Sequence, residues 1–130
     1  MIKSDDIKLH STCLNYFWIV STEGLITPIF VPAALSRDVD KPAILVTYCI
    51  YHITAVIFSP IIAWNLKHIT RVRALLIGIL LTSLSFIIFG IADLFDNQGF
   101  MACSLFGRVI MGLGNAFVVT TMFAILGTDY

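Results

Sequence analysis

In an apolar chain the ionisable side chains are the ones able to do chemistry, and this sequence places few of them inside its apolar runs. Glu23 is the one acid well inside such a run, with Asn15, Thr22 and Thr27 near its face at offsets of −8, −1 and +4. Arg108 is the one strong base so placed, and Gly112 and Asn115 follow it at helical spacing. A charge in hydrocarbon is costly unless it meets water or an opposite charge, so both positions mark a candidate route for substrate or protons. His52 shares a helical face with Tyr48, Tyr51 and Ala55, and an imidazole there can pass protons because the group titrates near neutrality. Counted from the same membrane face at 1.5 Å per residue, Arg108 lies about 12 Å deep and Glu23 about 18 Å deep. That offset is within reach of an arginine, which predicts a Glu23–Arg108 ion pair between neighbouring helices. Asp93 and Asp96 close the third apolar run and are expected to be solvated interfacial acids.

Other chemistries find no support. Cys13, Cys49 and Cys103 form no CxxC or Cys/His ligand spacing, so neither a metal centre nor a disulfide framework is expected, and all three read as buried, inert thiols. No nucleophile–base set stands out, so the chain is not expected to be an enzyme, and no cofactor is called for. A formal net charge of zero gives no basic excess for nucleic acid.

The elements that position these residues follow from composition. With 58% apolar residues and only 12% charged, the sequence is too apolar for a soluble domain, which carries charge on roughly a quarter of its residues. The charges fall in short gaps between long apolar runs. Four spans are predicted at about 13–35, 42–64, 73–94 and 100–126, preceded by a tail over 1–12 that mixes acids with bases. The uncharged stretch 74–92 alone is 19 residues long, enough to cross the hydrocarbon. Lipid offers no partner for backbone groups and the runs are too long for barrel strands, so the spans must be helices. The fold class is therefore an all-α membrane protein with four transmembrane helices. Small residues at Ala55, Ser59 and Ala63 recur every four positions on the second span, a stripe expected to admit another helix closely. Gly107, Gly112 and Gly114 thin the fourth span in the same way.

Orientation comes from the basic residues of short loops. Lys3 and Lys8 in the tail and Lys67, Arg71 and Arg73 in the second loop outnumber Arg37 and Lys41 in the first, and the third loop has none. The amino terminus is expected in the cytoplasm.

The order of these features resembles the start of the major facilitator superfamily. Its first-span glycine and prolines correspond to Gly24, Pro28 and Pro32 in GLITPIFVP. Between spans two and three the family carries a Gly-x-x-x-Asp-Arg-x-Gly-Arg-Arg signature. Here SPIIAWNLKHITRVRALLIG keeps the position and length, with Arg71 and Arg73 as its basic end and Ala63, Lys67, His68 and Thr70 at the other signature positions. The fourth-span pattern of an arginine followed by glycines matches Arg108, Gly112 and Gly114 in RVIMGLG. The prolines and the phrase FGIADLFDNQGFMACSLFGRVIMG are similar to the vesicular amine and polyamine branch.

The resemblance implies that these are the first four helices of a twelve-helix fold, with 13–130 forming part of the amino-terminal half and the chain a fragment of a longer transporter. It implies a secondary transporter in a vesicle or plasma membrane, exchanging protons for a small organic cation such as an amine or polyamine. Glu23, Arg108, Asn115 and His52 would line the substrate and proton pathway, and the remaining transporter helices would be its partners. The alternative is a small four-span protein that acts as an assembly or scaffold partner.

Overall fold

The computed structural model describes the backbone of residues 4–129 and the side chains of residues 10–127. The protein is an all-α membrane protein of four helices, each long and apolar enough to cross a bilayer, and no strand occurs among the described residues. The helices are α1 (Ser4–Leu35), α2 (Lys41–Asn65), α3 (Arg71–Ala92) and α4 (Asn97–Asp129). The expected spans all appear, but their helices run past the apolar segments. Residues 4–12, expected as a tail, are the first turns of α1. Lys3 lies outside the described residues, as does the side chain of Lys8. Arg71 and Arg73, expected in or at the edge of the second loop, stand in the first turn of α3.

The polar content of the spans is largely absorbed within single helices. The hydroxyls of Thr47, Thr54, Ser59, Thr82 and Ser83 each donate to the carbonyl four residues back, and those of Thr22 and Ser85 to the carbonyl three back. A hydroxyl that brings its own acceptor costs little in lipid, which is why so many Ser and Thr fit these helices. Pro28, Pro32 and Pro60 sit inside helices that continue through them. Each removes one backbone donor and leaves a carbonyl one turn back without its usual partner.

Helix α4 is the centre of the bundle, packed along α3 on one side and α2 on the other, while α1 touches α2 and α4 more sparingly. Two close approaches fix α4. A Cβ on Gly114 would stand 2.9 Å from the Gly78 carbonyl oxygen of α3, and one on Gly78 would stand 2.9 Å from the Gly114 oxygen, so the two glycines face each other. A Cβ on Gly112 would stand 2.5 Å from the Tyr51 carbonyl oxygen of α2. Backbones meet at both places, as small residues permit in lipid. The face α2 offers to α4 is formed by Thr47, Tyr51 and Thr54, all buried. The Ala55, Ser59 and Ala63 stripe does not make this approach. Ala55 and Ser59 are half-buried and Ala63 is exposed, and Ser59 and Ala63 border an open groove with Val119 and Phe123 of α4.

One end of the bundle is stapled. Helix α1 closes in a Schellman turn, in which the Val39 amide donates to the Ala34 carbonyl at 3.1 Å and the Asp38 amide to Leu35 at 3.2 Å. Asp38 takes the left-handed conformation this turn requires, with φ of 55°. The turn aims Arg37 at the α3–α4 loop. Its guanidinium donates to the Asp93 carboxylate at 2.7 Å and to the Asp93 and Phe95 carbonyls at 2.8 Å, and stands 4.6 Å over the Phe100 ring. Asn97 returns a bond to the Arg37 carbonyl at 3.1 Å. Asp93 and Asp96 are both exposed, as expected of interfacial acids, and Asp93 in addition pairs with Arg37. Just inside this end lies the main core, where Phe30 of α1 stacks on Phe100 at 5.8 Å and meets Tyr48 and Phe89 edge-on at 6.1 Å.

A candidate polar site inside the bundle

Glu23 lies on α1 one turn before Ile26, where α1 turns its buried face of Ile26, Phe30 and Ala34 to the bundle. Its carboxylate is 3.6 Å from His52 Nε2 of α2. The two side chains differ in setting: Glu23 is 27% exposed and His52 67% exposed, so the pair sits at the rim between α1 and α2 with the imidazole outermost. The His52 ring packs edge-on against Tyr51 at 4.8 Å. Tyr51, on the buried side, places its phenol in the electrostatic surroundings of the Glu23 carboxylate. A carboxylate beside an imidazole can accept a proton or attract an ammonium group in its place.

Arg108 lies deeper, at 0% exposure, between α4 and α2. The expected Glu23–Arg108 ion pair does not form. The carboxylate influences the guanidinium electrostatically from beyond contact distance, and stands 3.6 Å from His52 instead. The reason is tertiary: α1 packs loosely against α4, and Arg108 is wrapped instead by rings from three helices. Its Cζ stands 4.3 Å from the Tyr48 ring, 5.5 Å from Phe89 and 5.9 Å from Phe30. The Tyr48 hydroxyl lies within electrostatic range, but no hydrogen bond of normal geometry joins it to the guanidinium. None of the Arg108 nitrogens has an acceptor among the described residues.

The other expected site residues are less engaged. Asn115 is half-buried one turn beyond Gly112 and shares its face by helical spacing. Asn15, Thr22 and Thr27 spend their side chains on backbone carbonyls of their own helix, at Ser11, Ile19 and Glu23 respectively. Gly24, Pro28 and Pro32 are exposed on α1, and a Cβ on Gly24 would meet nothing within 4 Å. Arg71 is half-buried and Arg73 exposed at the opposite end of the bundle from Arg37. Gly112 and Gly114 act through the close helix approaches described above. Cys13 and Cys49 are exposed rather than buried, and Cys103 is half-buried. An apolar run in lipid does not distinguish the inner from the outer face, so the sequence had no signal for this. Among the described residues no group of His, Cys, Asp or Glu is arranged to hold a metal ion.

Beside the site, an apolar cleft of about 410 Å³ opens between α1 and α3, lined in part by Ile26, Phe30, Phe86, Phe89 and Phe100, with Asp93 at its mouth. The rings of Phe30 and Phe89 form both a wall of this cleft and part of the cage around Arg108. Sequence reasoning missed this ring cage. Phe30, Tyr48 and Phe89 fall in three separate spans, and only their packing brings them to one guanidinium.

Comparison with family models, with curated proteins and with solved structures returns no match.

Proposed function

We propose that this multi-pass membrane protein is part of a secondary transporter that exchanges protons for a small organic cation, such as an amine or polyamine. The observation that carries the proposal is the Glu23 carboxylate 3.6 Å from His52 inside two apolar spans. A carboxylate held at that depth is costly to keep unless it is used, and it can bind a proton and an ammonium group in turn. His52, the more exposed partner, is the route by which protons reach or leave it. The loose seating of α1 against the α3–α4–α2 stack suits a helix that shifts as access alternates between the two sides. The resemblance of the first-span prolines, the Arg71 and Arg73 loop end and the Arg108–Gly112–Gly114 pattern to the major facilitator superfamily agrees with such a role. The four helices would then work with further helices, as the first part of an amino-terminal transporter half. In this proposal the amino terminus is cytoplasmic, the membrane is that of a vesicle or the cell surface, and the protein performs no covalent chemistry.

The test is uptake of labelled spermidine and tyramine into proteoliposomes with an imposed proton gradient, using the complete reading frame that contains this sequence. Uptake that collapses with an uncoupler, is abolished by Glu23→Gln and is lowered by His52→Asn is the expected result, with helicity by circular dichroism unchanged. Uptake indifferent to Glu23→Gln would refute the assignment. No cation uptake, together with a stable complex with other membrane proteins, would favour an assembly role.

A further inference from the structure

We propose that Arg108 is the centre of a buried site for a small carboxylate anion, independent of whether Glu23 handles a cation. Two unpartnered polar groups meet there from two helices, and a third lies one helical turn away. Arg108 is 0% exposed, and its Nε and both terminal nitrogens lack an acceptor. The Tyr48 hydroxyl of α2, whose ring lies 4.3 Å from the guanidinium carbon, is buried and unpartnered as well. So is the hydroxyl of Ser104, 0% exposed and one turn before Arg108 on the same face of α4.

This departs from the habit of the rest of the chain. The buried hydroxyls of Thr47, Thr54, Thr82 and Ser85 all donate to a carbonyl of their own helix. Among the described residues only the buried hydroxyl of Thr121, over three turns away on α4, shares the unpartnered state. Buried polar groups in proteins almost always have a partner, so the orphaned guanidinium and phenol, with a third orphan one turn along α4, mark a place where something accepts from them. The rings of Tyr48, Phe30 and Phe89 attract the cation through their faces, but a ring face gives no acceptor for the N–H groups in the guanidinium plane.

The charge and geometry select the ligand. The guanidinium is permanently charged and presents a planar fork that matches a carboxylate with two parallel bonds. Glu23, whose charge reaches the guanidinium, stands 3.6 Å from His52, and Asp93 of the neighbouring cleft pairs with Arg37 at 2.7 Å. The other titratable groups facing the site are the phenols of Tyr48 and Tyr51, and neither is a carboxylate. One net positive charge thus remains without a carboxylate. The hydroxyls of Tyr48 and Ser104 would each donate one bond to the bound anion. Displacing the Phe30 or Phe89 ring joins the cage to the cleft between α1 and α3, which gives the anion a way in. Enclosure by rings on three helices limits the ligand to a small one.

The experiment is thermal unfolding of the full chain in lipid nanodiscs, followed by tryptophan fluorescence, at constant ionic strength. Sodium formate and acetate are titrated against sodium chloride and sodium gluconate, the last a carboxylate too bulky for the cage. Formate is expected to raise Tm by about 4 °C or more between 1 and 100 mM, with gluconate giving no rise. Tyr48→Phe, which removes only the hydroxyl, is expected to move the formate response to about fivefold to tenfold higher concentration. Arg108→Met is expected to lose it. If Arg108→Met does not fold, Tyr48→Phe and Ser104→Ala decide the question. An equal response to all four salts, or a formate response unchanged in both hydroxyl variants, overturns the proposal. A chloride response as strong as that of formate replaces the carboxylate with a halide. Loss of the response in Glu23→Gln would make Glu23 part of the site and overturn its independence. Because the readout is equilibrium binding, failure of cation transport leaves this result unaffected.

Discussion

Alanine at Gly112 reports on packing and on the polar site at once. A Cβ there would lie 2.5 Å from the Tyr51 carbonyl oxygen and 3.0 Å from Thr54 Cβ, where ordinary contact begins near 3.4 Å. The carbonyl belongs to the α2 backbone and cannot rotate aside, so α2 as a whole must retreat from α4 by about 1 Å. Forcing atoms into a packed interface in this way costs about 1–3 kcal/mol. Replacing a helix-interior glycine returns up to about 1 kcal/mol of backbone preference. A net loss of about 1–2 kcal/mol is expected. The same retreat carries Tyr51 away from Glu23 and Tyr48 away from Arg108, so the formate response above should weaken with it. Gly24→Ala is the control, since its Cβ would meet nothing within 4 Å and only the backbone gain of up to about 1 kcal/mol remains. The assay is reversible unfolding in bicelles, read through Trp18 and Trp64. Opposite signs for the two substitutions are expected. If Gly112→Ala is neutral or stabilising like Gly24→Ala, the close approach of α2 and α4 is not a determinant of stability and the reasoning fails.

Three further outcomes follow from the stapled end and the core. Arg37→Lys keeps the charge but loses the fork that reaches the Asp93 carboxylate and two carbonyls, and should lower stability by about 1 kcal/mol, a modest figure because Asp93 is largely exposed. Denaturant unfolding measures this, and a larger loss in Asp93→Asn than in Arg37→Lys would contradict it. Asp38→Gly relieves the left-handed position of the Schellman turn and should raise stability by about 0.5–1 kcal/mol in the same assay; a loss would mean the Asp38 side chain holds the turn. Phe30→Ala removes the ring shared by the core and the Arg108 cage, and should cost about 3–5 kcal/mol. A loss below about 1 kcal/mol would show that lipid or neighbouring rings refill the space.

The corrections share one cause. Every span is apolar on both faces, because the outward face meets hydrocarbon and the inward face meets other helices. Periodicity therefore carries little inside–outside information, unlike in a soluble helix with one polar side. This is why Cys13 and Cys49 read as buried and prove exposed, and why the Ala55–Ser59–Ala63 stripe looks like a contact face and borders an open groove. Glycine was the more reliable guide, since Gly112 and Gly114 both stand at backbone approaches. The helices extend past the expected spans because the bilayer rule finds the apolar segment, whereas the helix itself continues into polar turns such as 4–12 and 97–99.

By itself the sequence determined four membrane-crossing helices and the two charged residues, Glu23 and Arg108, around which any chemistry must gather. Lipid leaves the backbone a single way to satisfy itself, and it makes every charge within it conspicuous. The tertiary structure alone decided whom those charges meet: His52 for Glu23, and a cage of Tyr48, Phe30 and Phe89 for Arg108. Depth along a span follows from counting residues, but the rotation of each helix about its axis follows from packing. Partner choice depends on that rotation.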